Sequence, residues 1–173
     1  MLFRSAHDPK TVSGGVRLAW GDVNADGVAD ILTVNEASNT HTRVKVFSGK
    51  DAALLANFPV LDEKYKGGGF IAAADFANNG QAHPVVGLDA GAVPLVRVFD
   101  PNGKAVAEWL AYDERFRGGV RVAVSRRNHI VTAPGPVLKN SPVRIFDVTK
   151  PKAPLGEVTP FPGFDGGLNV GGR

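Results

Sequence analysis

The sequence predicts an all-β fold of repeated four-stranded antiparallel sheets, and three observations carry that prediction. A Gly-Gly pair followed by a short apolar strand recurs as Gly14-Gly15-Val16-Arg17-Leu18, Gly68-Gly69-Phe70-Ile71-Ala72, Gly118-Gly119-Val120-Arg121-Val122 and Gly166-Gly167-Leu168-Asn169-Val170, at spacings of 54, 50 and 48 residues. A strand ending in phenylalanine keeps the same phase: Val44-Lys45-Val46-Phe47, Val96-Arg97-Val98-Phe99 and Val143-Arg144-Ile145-Phe146. An aromatic and charged stretch leads into each later Gly-Gly, as in Leu61-Asp62-Glu63-Lys64-Tyr65, Ala111-Tyr112-Asp113-Glu114-Arg115-Phe116 and Phe161-Pro162-Gly163-Phe164-Asp165. A fixed period of this kind is the mark of a repeat architecture.

Within each period, turn-forming residues divide the chain into four strands. The first unit predicts strands at about 16–20, 30–34, 43–47 and 53–58. The second predicts 70–74, 84–87, 95–99 and 105–110, and the third 120–124, 129–133, 143–147 and 156–160. Turns such as Ser48-Gly49-Lys50-Asp51 and Asp100-Pro101-Asn102-Gly103 hold the Gly and Asn that accept positive φ. Four short strands in roughly 50 residues is the size of a β-propeller blade. A lone blade cannot bury both faces, which explains why Ile31-Leu32-Thr33-Val34 is apolar on nearly every residue. The units run at about 14–66, 67–117 and 118–165, with 1–13 as the end of a preceding unit and 166–173 as the start of a further one. Three blades are too few to close a ring, so the chain is expected to be part of a longer propeller or to complete one by homo-oligomer formation.

Composition narrows the function classes. The 173 residues carry 20 Lys and Arg against 17 Asp and Glu, a net charge of +3, and only Arg126-Arg127 are adjacent basic residues. Nucleic-acid binding needs clustered positive charge and is not expected. There is no cysteine, which excludes thiolate metal sites and thiol nucleophiles. No apolar run approaches the roughly 18 residues of a membrane helix, so no membrane insertion is expected. The segment 1–8 has no apolar core of a secretory leader.

One segment carries recognisable chemistry. Gly21-Asp22-Val23-Asn24-Ala25-Asp26-Gly27-Val28-Ala29-Asp30 puts oxygen side chains at loop positions 1, 3, 5 and 9 with glycine at 6. Such a loop can wrap a hard cation that takes six to eight oxygens, and glycine permits the sharp turn. Asp22, Asn24, Asp26 and Asp30 are the expected side-chain ligands for calcium, and Val28 supplies a backbone carbonyl. Thr33 stands at position 12, where an EF-hand needs a bidentate glutamate, and strands flank the loop, so this is no helix-pair sensor. The alternative is a hairpin loop of Asx turns needing no metal.

The string Gly-Asp-Val-Asn-Ala-Asp-Gly-Val-Ala-Asp-Ile-Leu, preceded by Gly-Gly-Val-Arg-Leu-Ala, resembles the FG-GAP/VCBS repeat of integrin α-subunit propellers and bacterial surface proteins. The resemblance covers nearly the whole chain. It implies a calcium-binding, non-enzymatic propeller scaffold, extracellular or on the cell surface, that binds a protein or carbohydrate ligand. Two units depart from the pattern. Asp75, Ala77, Asn79, Gly80 and His83 stand where the first unit has Asp22, Asn24, Asp26, Gly27 and Asp30, and Ser125-Arg126-Arg127-Asn128-His129 is short and basic. One good calcium site is therefore expected.

Other readings are weaker. Lys45, Arg97 and Arg144 repeat in phase, as do Arg17 and Arg121; they read as cross-strand or inter-blade pairs before a basic ring. His7, His41, His83 and His129 lack zinc-site spacing. Phe47, Phe99 and Phe146 read as inter-blade core. A propeller lyase or hydrolase would need converging polar groups on the innermost strands, which offer little beyond Arg17 and Arg121. A purely structural subunit that assembles by blade docking is the third reading.

Overall fold

In a computed structural model, Ala6, His7, Lys10 and residues 13–172 are described. The described residues form twelve strands and no helix. They are β1 (Val16–Gly21), β2 (Asp30–Asn35), β3 (Arg43–Phe47), β4 (Leu54–Pro59), β5 (Gly69–Ala74), β6 (His83–Leu88), β7 (Leu95–Phe99), β8 (Ala105–Leu110), β9 (Val120–Val124), β10 (Ile130–Pro134), β11 (Val143–Phe146) and β12 (Gly156–Val158). They make three four-stranded antiparallel meanders, β1 to β4, β5 to β8 and β9 to β12. A register shift recurs at one phase, between Val46 and Phe47 and again between Val98 and Phe99, and tightens the twist of each outer hairpin. The reading of residues 1–13 as the end of a preceding unit falls largely outside the described residues.

The sheets follow one another through their first strands, β1 against β5 and β5 against β9. This blade-like row does not close into a ring among the described residues. Two apolar layers fill the gaps. Leu32, Val34, Val44, Val46 and Phe58 of the first sheet meet Ile71, Val86, Leu88 and Phe99 of the second. On its other face the second sheet packs Val85, Val96, Val98 and Trp109 against Val120, Val122, Ile130 and Phe146 of the third. The middle sheet is thus buried on both faces, and near-continuous apolar strands follow from that burial.

The expected strands differ from the observed ones by a residue or two at their ends. The last departs most: β12 stops at Val158 and is exposed throughout, and Pro160 has no N–H to extend the ladder. The Gly-Gly register of the second unit also shifts by one. Gly68 has φ +82°, matching Gly119 at +84° and Gly167 at +81°, so the pair is Gly67-Gly68 and Phe70, not Ile71, is the counterpart of Arg17 and Arg121.

His7 lies against the first sheet, 7% exposed, with Nε2 3.3 Å from the Thr33 hydroxyl. Burial, reinforced by the charge of Lys45, lowers its pKa from 6.5 to about 4. Between those values the unfolded chain holds a proton that the folded chain does not, so stability is full above about pH 6.5 and falls toward pH 4. Urea midpoints measured from pH 7 to 4.5 are expected to fall with pH, and His7→Gln should flatten the slope. An unchanged slope in that variant would assign the loss to another group.

Candidate functional site

The loop between β1 and β2 is anchored by burial at two points. Val23 is 2% exposed and Asp30 is fully buried. Between them the chain turns through positive φ at Ala25 (59°) and Gly27 (85°). The Asp22 carboxylate accepts from Asp26 N at 3.1 Å and Gly27 N at 2.7 Å. Asn24 Oδ1 accepts from Asp26 N at 3.1 Å, and Asp26 Oδ1 from Val28 N at 2.9 Å. Val28, the expected carbonyl ligand, is 39% exposed at the loop surface.

Asp30 is turned differently. Its Oδ2 accepts from Val23 N at 2.8 Å and its Oδ1 from Gly49 N at 3.1 Å. This carboxylate therefore ties the loop's start and the β3–β4 turn to the head of β2. Among the described residues no group of three or more His, Cys, Asp or Glu side chains is arranged to hold a metal ion. Asp30 is buried, whereas Asp26 is exposed and Asp22 half-buried.

The second sheet supplies an internal control. Asp75 accepts from Asn79 N at 3.1 Å and Gly80 N at 2.7 Å, and Asn79 Oδ1 from Gln81 N at 3.0 Å. Asn78 and Gly80 have φ of 52° and 85°. The backbone path is that of residues 22–28, formed here with one carboxylate. Desolvation opposes ionisation of Asp75, but the N–H groups of Gly80, Asn79, Asn78 and Ala77 hold its carboxyl below the usual range. Loop shape alone therefore does not require the acidic residues of the first unit. At the counterpart of Asp30, His83 keeps a buried Nδ1 without a hydrogen-bond partner and lies 6.2 Å from the Phe76 ring.

What distinguishes the first loop is charge. Asp22, Asp26 and Asp30 fall within nine residues, and none forms an ion pair among the described residues. The donor set of carboxylates and amide oxygen suits a hard cation such as calcium.

Four of the five repeated basic residues brace the sheets, while Lys45 forms no ion pair among the described residues. Arg97 pairs with Glu108 across β7 and β8 at 2.7 Å and donates to the Val60 carbonyl of the preceding unit at 3.2 Å. Arg144 repeats this with Glu157 at 2.7 Å and the Ala111 carbonyl at 2.8 Å. Arg17 pairs with Asp89 at 2.8 Å and Glu36 at 3.2 Å, and its guanidinium lies 3.8 Å from the Phe70 ring centre. Arg121 approaches the same ring at 4.8 Å and donates to the Gly118 carbonyl. Sequence reasoning missed the part of Phe70 in this stack. Correct alignment of the three consecutive glycines at 67–69 would have revealed it.

No protein-family model matches the chain, and no curated protein matches it.

Proposed function

We propose that the chain belongs to a calcium-stabilised β-propeller of the FG-GAP/VCBS kind, working outside the cell as a binding or adhesion scaffold for a protein or carbohydrate and not as an enzyme. The observation that carries this reading is the concentration of three unpaired carboxylates in the 22–30 loop, beside a second loop of the same backbone path that has one. The carboxylate and amide oxygens of this loop match the ligand preference of calcium. Asp22, Asn24, Asp26 and the Val28 carbonyl are its ligands, with Asp30 completing or bracing the set. Of the two arginines on the innermost strands, Arg17 is taken up by Glu36 and Asp89 and Arg121 lies against the Phe70 ring, so few polar groups converge there for lyase or hydrolase chemistry. Calorimetric titration should give one calcium per chain, lost in Asp26→Ala and kept in Asp75→Asn. Heat that persists in Asp26→Ala, or no heat in the parent chain, would defeat the assignment.

A second reading, docking of blades between molecules or along a longer polypeptide, rests on the aromatic connectors. Tyr112 and Phe116 meet edge-on at 5.6 Å and are 4% and 7% exposed between the second and third sheets. Phe161 and Phe164 meet at 6.2 Å in the same way, yet are 58% and 44% exposed. At the other end Leu18 and Trp20 are 64% and 67% exposed. Large apolar side chains left exposed at both ends of the row are the observation that favours docking there. Sedimentation should show concentration-dependent association that Phe164→Asp weakens. A protomer mass at all concentrations would remove self-docking from the account.

A further inference from the structure

The loop ends of the three sheets differ in charge, and the basic one borders a cavity. The turn at 125–129 joins β9 to β10. Ser125 N donates to the His129 carbonyl at 2.9 Å, and the Ser125 hydroxyl accepts from Arg127 N at 3.3 Å and His129 N at 3.2 Å. Asn128, at φ 57°, donates through Nδ2 to the Asp75 carbonyl and to Asn78 Oδ1 at 3.1 Å. The turn is therefore fixed to the neighbouring sheet's loop by its own polar groups. Arg126 and Arg127 stand on that fixed turn, both exposed, and neither guanidinium makes an ion pair or hydrogen bond among the described residues.

A cavity of about 290 Å³ opens between the two loops. Arg126, Arg127, His129, Asn78 and Thr149 line it, together with Asp147. Asp147 is the one acid there, and it is already engaged. Its Oδ1 accepts from Thr149 N and the Thr149 hydroxyl, both at 2.8 Å, and these bonds hold its carboxyl below the usual range. Two guanidiniums against one satisfied carboxylate leave the cavity net positive. The Asn78 side-chain amide stands beside them.

We propose that this cavity binds a tetrahedral oxyanion, a phosphate or sulfate group, through Arg126 and Arg127, with the Asn78 side-chain amide as a neutral donor. Guanidinium groups suit such ligands because their forked N–H donors meet two oxygens at once. Little of the turn has to be ordered on binding, which favours affinity. The site is independent of the calcium loop and would stand if that loop bound nothing.

The test uses the whole chain in chelator, so that calcium plays no part. Inorganic phosphate and glucose 6-phosphate are titrated separately while amide resonances are followed, with glucose as the neutral control. Saturable shifts at 125–129, 78 and 149 are expected, weakened about tenfold in Arg127→Gln and abolished in Arg126→Gln with Arg127→Gln. Neither substitution removes a contact of the fold, and an unchanged spectrum away from the loop confirms that. Tighter binding of the ester than of the free ion would identify a phosphorylated or sulfated ligand, and the reverse order would identify the ion itself. Shifts that do not saturate, or that survive in the double variant, would overturn the proposal.

Discussion

Alanine at Phe146 or Phe99 is expected to destabilise the fold by about 3–5 kcal/mol, and alanine at Phe47 by about half as much or less. The three residues occupy one phase of the repeat, at the end of the third strand of each sheet. Phe99 and Phe146 are each 2% exposed. Phe99 packs on Phe58 at 5.0 Å and Phe146 on Trp109 at 5.5 Å, in both cases the fourth strand of the preceding sheet. Phe47 has no preceding sheet among the described residues and is half-buried. Truncation therefore leaves a cavity at two of the positions and only trims surface at the third. Urea unfolding of the three variants measures this directly. Equal losses at all three would mean that the sheets do not bury these rings against one another.

The second large effect separates bracing of the fold by the acidic loop from the calcium binding proposed for it. Asp30→Ala should cost about 3 kcal/mol with or without calcium, because it leaves the buried Val23 N–H, and the partly buried Gly49 N–H, without their charged acceptor. Asp26→Ala should cost little in chelator, since its partners Asn24 and Val28 are exposed to water, and should remove the response to calcium. Chemical denaturation of both variants in calcium and in chelator gives four values that distinguish the roles. If Asp30→Ala behaved like Asp26→Ala, the buried carboxylate would be a ligand first and a brace second.

These contrasts mark what could be read from the sequence. The strand pattern was legible because turn residues bound each apolar run, and every expected strand is present. The register of the second unit was not, because Gly67, Gly68 and Gly69 are indistinguishable until φ shows which one takes the left-handed turn. That slip hid the stacking of Arg17 and Arg121 on Phe70. The acidic loop was legible as a set of oxygens, but the inward turn of Asp30 depends on Gly49, nineteen residues away in the chain. The expectation that all three strand-end phenylalanines are inter-blade core holds for Phe99 and Phe146 and weakens at Phe47. Repetition predicts what a position prefers; the presence of a neighbouring sheet decides whether the preference is met.

Calcium bound in the 22–30 loop, as proposed, would stabilise the folded scaffold. Thermal unfolding of the purified chain in millimolar calcium and in excess chelator tests it most directly. A ligand that binds only the native state at about 100 times its Kd adds about 2.7 kcal/mol, so a rise of several degrees is expected, absent in Asp26→Ala. Identical melting in calcium and chelator would contradict the account and reduce residues 22–30 to a turn held by its own hydrogen bonds.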